Sequence, residues 1–220
     1  WSTDYINKYK IVDKPEYPSL DIPVVSLDVT DYGIDNTGNN DCTSKVQAIL
    51  DAAAGVGTMT HVNNDSKVRG WYGNPTGGIV YFPEGKYLFT GSITIPRGVT
   101  IRGDWKKPEK GVATKGTIFV VKPRRGAGSE IESSSFIMMQ PTTEVNGITF
   151  WYPEQKKESV TKYPPTVLYG QQGYFGNDYC TVQRCTFLNS YTAVKFSSFN
   201  GGGCPNVFLS LIHISEPTRP

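Results

Sequence analysis

Eight charged residues at predicted strand ends or in loops have side chains suited to proton transfer. They are the carboxylates Asp104, Glu144, Glu154 and Asp178 and the cations Arg102, Lys106, Arg184 and Lys195. Two carboxyl groups facing one bond can act as acid with base or nucleophile. A single base beside a cation, or beside Ca²⁺, can instead take a proton α to a carboxylate and hold the charge that develops. Asp104, Glu154 and Asp178 are carried forward as catalytic candidates, although each also reads plainly as a solvated loop charge or turn cap. Among the aromatics, Trp105, Trp151 and Tyr152 are the candidate binding rings, with Tyr169, Tyr174 and Phe175 in similar settings. Their alternative role is packing against neighbouring structure, since such rings bury large areas.

Other polar clusters suggest less. Asp31, Asp35 and Asp41 with Asn36, Asn39 and Asn40 make an oxygen-rich loop, but the spacing fails the EF-hand pattern and helix capping explains it. No metal site is assigned. His61 stands alone in a Gly/Asn-rich insertion, Val56 to Thr76, that also holds Arg69, Trp71 and Tyr72. Cys42, Cys180, Cys185 and Cys204 match no zinc spacing. Cys180 and Cys185, an odd number of residues apart on one predicted strand, are expected on opposite faces and unbonded. Cys180 and Cys204 are about one solenoid repeat apart and so open to stacking or linkage, but buried free thiols are the simpler reading. No P-loop, dinucleotide fingerprint or serine-elbow motif occurs.

The elements that would position these residues are short strands. Ile79–Phe82, Tyr87–Phe89, Ser92–Ile95 and Val99–Arg102 follow one another across Pro83-Glu84-Gly85 and Pro96-Arg97-Gly98 turns. Ile93, Ile95, Val99 and Ile101 alternate with Ser92, Thr94, Thr100 and Arg102, which predicts one buried face per strand. Upstream, Val46, Ile49, Leu50 and Ala53 fall at helical spacing within Thr43–Ala54, capped by Asp41 or Thr43. Val145–Phe150 and Val182–Phe187 repeat one pattern, Val, a small apolar residue, Thr and Phe in register, as equivalent strands of adjacent coils would. The Pro/Gly-rich stretch Tyr152–Asp178 between them reads as a long loop. Val194–Phe196 and Cys204–Phe208 would begin further strands.

In order, the DYG at Asp31–Gly33, the polar loop, the helix DCTSKVQAILDAA, GGIVYFPEGKY and GVTIRGD resemble the N-terminal module of the pectate-lyase-like superfamily. The matching motifs cover Val29 to Asp104, with weaker coil-like similarity to Phe208. The resemblance implies an all-β right-handed parallel β-helix, C-terminally incomplete, with the helix as N-terminal plug. It further implies an exported carbohydrate-active enzyme, a glycoside hydrolase or polysaccharide lyase cleaving an extended polysaccharide, with Ca²⁺ conceivable for a lyase. Its location would be secreted, periplasmic or at the cell surface. The other class of function open to such a fold is a non-catalytic glycan-binding, tailspike-like or surface-attachment protein. The Asn-Thr-Asp, Asp-Asp, His-Gly and Arg-x-Lys elements of polygalacturonase-type sites are absent, and in the superfamily they belong to later coils.

Composition sets outer bounds. The 220 residues carry 22 Lys+Arg and 20 Asp+Glu for a net charge of +2, with no basic run longer than two, which leaves no footprint for nucleic acid. No apolar stretch approaches a membrane span. Nothing in the sequence fixes an oligomeric state. Three segments are expected: an extended N-terminal arm over residues 1–25, the cap and first coils over 26–208, and a foreign tail over 209–220. Leu209–Arg219 reads LSLIHISEPTR, which resembles the in-frame translation of a transposase-type sequencing adapter, so the natural chain is expected to continue beyond Phe208. With Trp1 in place of Met, the start is expected to be a processed or truncated end.

Overall fold

Short strands with one apolar face cannot bury that face alone, and in this chain they do so by stacking lap upon lap. A computed structural model describes residues 26–54, 78–107, 115–122, 135–156, 158–169, 179–196, 206–210 and 212–215. Sheet A runs β1 (Ser26–Asp28), β3 (Gly78–Phe82), β6 (Val99–Gly103), β9 (Thr143–Asn146), β12 (Tyr179–Gln183) and β15 (Asn206–Ser210). Sheet B runs β2 (Thr37–Asp41), β4 (Gly85–Phe89), β7 (Thr117–Val121), β10 (Thr149–Trp151), β13 (Thr186–Leu188) and β16 (His213–Ser215). Sheet C holds β5 (Ile93–Ile95), β8 (Ile137–Met139), β11 (Val167–Tyr169) and β14 (Val194–Phe196). Every pairing between these strands is parallel, and each lap visits A, then B, then C. The architecture is the expected right-handed parallel β-helix.

Register dictates the interior. Val80, Ile101, Val145 and Val182 are successive partners along sheet A and all are fully buried. On sheet B the file is Tyr87, Phe119, Phe150 and Phe187. Phe119 packs edge-on against Phe82 at 4.8 Å and Phe150 at 5.7 Å, and Phe150 stacks on Phe187 at 4.9 Å. Ile93, Ile137 and Val167 form the matching file of sheet C.

Among the described residues the first lap shows no sheet C strand, and helix α1 (Thr43–Ala53) packs against β5 at that end. Its stripe of Val46, Ile49, Leu50 and Ala53 is buried. The Gln47 amide accepts from Thr94 N at 2.8 Å and donates to Thr94 O at 3.0 Å, so one side chain meets the exposed edge of β5 as a strand would. The plug thus both covers the apolar end and satisfies the open ladder.

Several expectations are corrected. The N-cap of α1 is Cys42, which makes no side-chain cap bond. Asp41 nevertheless takes the first helical N–H as expected, accepting from Thr43 N at 3.2 Å, while the Thr43 hydroxyl accepts from the N–H groups of Thr90 and Gly91. The polar loop at 35–41 is largely strand β2. The repeated six-residue units pair as expected, Val145 with Val182 and Phe150 with Phe187, but each is two strands around a corner. That corner changes the parity, so Cys180 and Cys185 both point inward as buried free thiols. β11 lies inside the stretch read as loop, because Val167 and Leu168 are wholly buried. β15 and β16 extend the stack into residues 209–215. The backbone ladder accepts any extended segment, so this pairing is indifferent to the origin of those residues. The arm at 1–25, the 56–76 insertion with His61, and Cys204, Tyr174, Phe175 and Asp178 lie outside the described residues.

Asp35 has a local task. Its carboxylate accepts from the Thr37 hydroxyl at 2.6 Å and from the N–H groups of Asn40, Thr37 and Asn39, which together hold it well below the usual carboxylate range. A depressed folded value contributes stability above the unfolded value, lost as pH falls. The melting temperature is therefore expected to drop below about pH 4, with Asp35→Asn flattening part of that slope in thermal scans. Phe119→Ala, at the centre of the aromatic file, is expected to cost about 3–5 kcal/mol in urea unfolding.

Candidate functional site

Over the three consecutive laps from β6 to β13, the passage from sheet A to sheet B is open in the first and tight in the next two. Between β9 and β10 it consists of Gly147 and Ile148, and between β12 and β13 of Arg184 and Cys185. The first residue of each pair takes a left-handed backbone, φ 78° at Gly147 and φ 50° at Arg184, while the second turns into the core. Between β6 and β7 the chain departs after Gly103 and returns at Gly116. The base of this excursion is pinned by Thr117 N donating to Asp104 O at 3.0 Å and Asp104 N donating to Thr117 Oγ1 at 2.8 Å. From there Trp105 reaches two laps along the axis, its Nε1 donating to Thr186 Oγ1 at 2.9 Å.

This shelf over two tight corners leaves a cleft of about 190 Å³, lined by Arg102, Asp104, Trp105, Lys106 and Arg184 with Gly103 and Gly147 as its floor. A Cβ on Gly147 would fall inside contact distance of the Gly103 carbonyl oxygen, so the floor exists only because side chains are missing there. Asp104 Oδ2 accepts from Tyr81 Oη at 2.5 Å. Burial, followed by this bond and the Asp104 charge, pushes the Tyr81 phenol up to about 12, so it stays protonated and donating at neutral pH. Arg184 is oriented from behind: its Nε donates to Asn146 Oδ1 at 3.0 Å. Asn146, buried, donates in turn to Glu144 Oε1 at 2.8 Å, and Gln183 Nε2 donates to the same oxygen.

Of the charged and aromatic residues singled out from sequence, Asp104 and Trp105 come together here with Arg102, Lys106 and Arg184. The others do not. Glu144 serves the Asn146–Arg184 chain on the outer face of sheet A. Trp151 lies on the outer face of sheet B, in register with Val120 and Leu188, with Lys86 Nζ 5.7 Å from its ring centroid. Tyr152 is 1% exposed, its hydroxyl 2.6 Å from Thr166 Oγ1 and its ring against Tyr163, so as a binding ring it is corrected to a core residue. Glu154 is half-buried in the loop after β10, and Lys195 half-buried on β14. Tyr81 and Asn146 were missed, yet the alternation of Val80, Tyr81 and Phe82 already turns Tyr81 outward, and register sets it beside Arg102.

The cleft wall contributes one carboxylate, which does not make a hydrolytic pair, and its three cations oppose a metal ion. Among the described residues no group of three or more His, Cys, Asp or Glu could hold a metal. Asp35 likewise offers no Ca²⁺ seat, because both its oxygens accept from neighbouring N–H and O–H groups. Neither the cleft nor the Asp35 loop, among the described residues, fits Ca²⁺.

A family model described as rhamnogalacturonase A/epimerase, pectate lyase-like, matches residues 26–143. No curated protein matches the chain. Among solved structures, a candidate glycosyl hydrolase from Parabacteroides merdae aligns with a TM-score of 0.51 at 15% identity, over 86% of this chain and 74% of that one. The A-module of mannuronan C-5 epimerase AlgE4 from Azotobacter vinelandii aligns at 0.49 and 18%, over 78% of this chain and 41% of that one. DFA-IIIase from Arthrobacter chlorophenolicus, without its lid, aligns at 0.44 and 12%, over 87% and 59%. At these identities the likeness is one of fold, and the chain spans less than two thirds of the latter two.

The two corners should respond differently to substitution. Gly147→Ala meets both a left-handed backbone and the Gly103 carbonyl, and is expected to cost at least about 2 kcal/mol. Arg184→Gly, at the equivalent position one lap on, trades one hydrogen bond for relief of the backbone and is expected to stay within about 1 kcal/mol of the parent. Equilibrium denaturation of both variants measures the contrast.

Proposed function

The chain belongs to the rhamnogalacturonase A/epimerase, pectate lyase-like family, and from that membership we propose that it is the N-terminal part of an exported enzyme that cleaves an extended polysaccharide. The observation that carries this reading is the cleft itself, where Arg102, Asp104, Trp105 and Lys106 from one lap meet Arg184 from two laps on, over Gly147 of the lap between. Such a donor set suits sugar hydroxyls and ring faces, and a stacked surface repeated along an axis suits a repeating ligand. Binding energy gathered at such subsites is used at the scissile bond.

The cleft's part in this is binding. Asp104 is held by Tyr81, and a second carboxyl group for hydrolysis, or a base with a stabilising cation for elimination, would come from elsewhere in the whole protein. Export is proposed from the family resemblance alone, with a secreted, periplasmic or cell-surface site of action.

Depolymerisation assays of the full-length protein on pectic, β-glucan and alginate-type polymers test the reading. New reducing ends are expected with at least one of them, accompanied by the ultraviolet absorbance of an unsaturated product if cleavage is by elimination. Tight binding without cleavage on every polymer would point instead to a glycan-binding attachment protein. Absence of both binding and cleavage would remove the carbohydrate reading.

A further inference from the structure

We propose that Asn146 is a latent deamidation site, silent while the laps are stacked and open once they part, and that conversion there permanently bars the chain from refolding. This concerns the chemistry of the corner alone and does not depend on the carbohydrate reading.

The sequence carries the labile pair. Asn146 is followed by Gly147, whose backbone nitrogen is unhindered because glycine has no side chain and takes almost any backbone angle. In an open chain that nitrogen can attack the side-chain carbonyl carbon of Asn146. A C–N bond forms, the side-chain amide leaves with the Gly147 proton as ammonia, and a cyclic imide remains. Water then adds to either imide carbonyl. One opening gives aspartate, and the other gives isoaspartate, in which the main chain runs through the former side chain. Water is the only co-reactant, and nothing is oxidised or reduced.

The folded corner holds every group that this reaction uses. Asn146, the last residue of β9, is 3% exposed and lies in register between Arg102 and Gln183. The attacking nitrogen is engaged, since Gly147 N donates to Gln183 O at 3.1 Å. The amide is held as well, with Nδ2 donating to Glu144 Oε1 at 2.8 Å and Oδ1 accepting from Arg184 Nε at 3.0 Å. Arg184 draws electrons from the carbonyl carbon and by itself would favour attack, so the restraint is geometric. Attack needs Asn146 and Gly147 to leave the ladder together, which is an opening of the laps themselves. One lap on, the equivalent pair is Gln183 and Arg184, a longer amide before a bulky residue, so the liability belongs to one corner.

Either product is wrong for this place. Aspartate would set a carboxylate against the Glu144 oxygen that now accepts from Nδ2, replacing a hydrogen bond with repulsion in a buried setting. Isoaspartate lengthens the backbone. It adds a main-chain carbon at the Gly147-Ile148 corner, which joins β9 to β10 while both strands are fixed in register with the next lap. Gly147 already approaches the Gly103 carbonyl so closely that a Cβ has no room, so the added length cannot bulge there.

The test holds the full-length protein at mildly alkaline pH, folded or unfolded in guanidinium chloride, and follows Asn146 by peptide mapping and mass spectrometry, separately from Asn200, which precedes Gly201. Unfolded, Asn146 is expected to convert at least about a hundredfold faster than folded, a factor set by how rarely core laps open. After dilution from denaturant, converted chains should be confined to the fraction that fails to regain protease resistance. Asn200→Ser removes the other Asn-Gly pair, and its refoldable fraction is expected to decline in step with Asn146 conversion. Equal rates in the folded and unfolded protein would overturn the masking. Converted chains that refold as readily as unconverted ones, or a loss of refolding while Asn146 stays intact, would overturn the barrier.

Discussion

The whole structure depends on one constraint: each lap must set an apolar side chain directly over the one in the lap below. A parallel ladder spaces strands by about 4.8 Å, close to the contact distance of stacked rings and branched side chains, so like residues in register make a continuous dry interior. The file Tyr87, Phe119, Phe150, Phe187 meets this with aromatics, and the file Val80, Ile101, Val145, Val182 with valine and isoleucine. At the first lap the interior and an open strand edge would both face water. Helix α1 closes the end with one apolar stripe and one glutamine, covering hydrophobic area and unpaired backbone together.

The outward side follows from the same stacking. Where two laps turn from sheet A to sheet B through a single left-handed residue, the surface is smooth and side chains stand in rows. Where the lap of β6 and β7 departs from that rule, a shelf forms over its neighbours, and a cleft appears at the only kind of place a tight corner permits, above glycine. Gly103 and Gly147 approach so closely that neither could carry a side chain. Three of the four charged side chains lining the site, Arg102, Asp104 and Lys106, come from the shelf lap itself, and Arg184 is brought in from two laps along, over Gly147 of the lap between.

Much of the interior was legible in the residues, because period-two alternation is a direct consequence of a strand with one buried face. Ile93, Ile95, Val99 and Ile101 declare it, and the paired units Val145–Phe150 and Val182–Phe187 declare the lap itself. The corners were not legible. Glycine at 147 is a natural turn residue, but arginine at 184 carries no such signal, and one unnoticed corner reverses the facing of everything after it. That is why Cys180 and Cys185 share the interior, whereas Tyr152 is core by plain alternation from Phe150 across the outward Trp151. β11 escaped notice for a different reason: three residues are too few to show a period, and prolines on its approach read as loop. At the site, Asp104 and Trp105 stood out by type and setting, whereas Tyr81 and Asn146 acquire meaning only from cross-strand register.

The central claim is that laps distant in sequence lie side by side, in parallel and in one register. Thr100 and Glu144 are outward partners on β6 and β9, and Thr181 sits one strand further. Disulfide formation under mild oxidation, read by mass spectrometry, tests this directly, since a bridge needs Cα atoms about 4.4–6.8 Å apart. Thr100→Cys with Glu144→Cys is predicted to cross-link fully and to raise thermal stability, while Thr100→Cys with Thr181→Cys is predicted to remain reduced. Failure of the first pair with efficient bridging of the second would contradict the stacked register and the site built upon it.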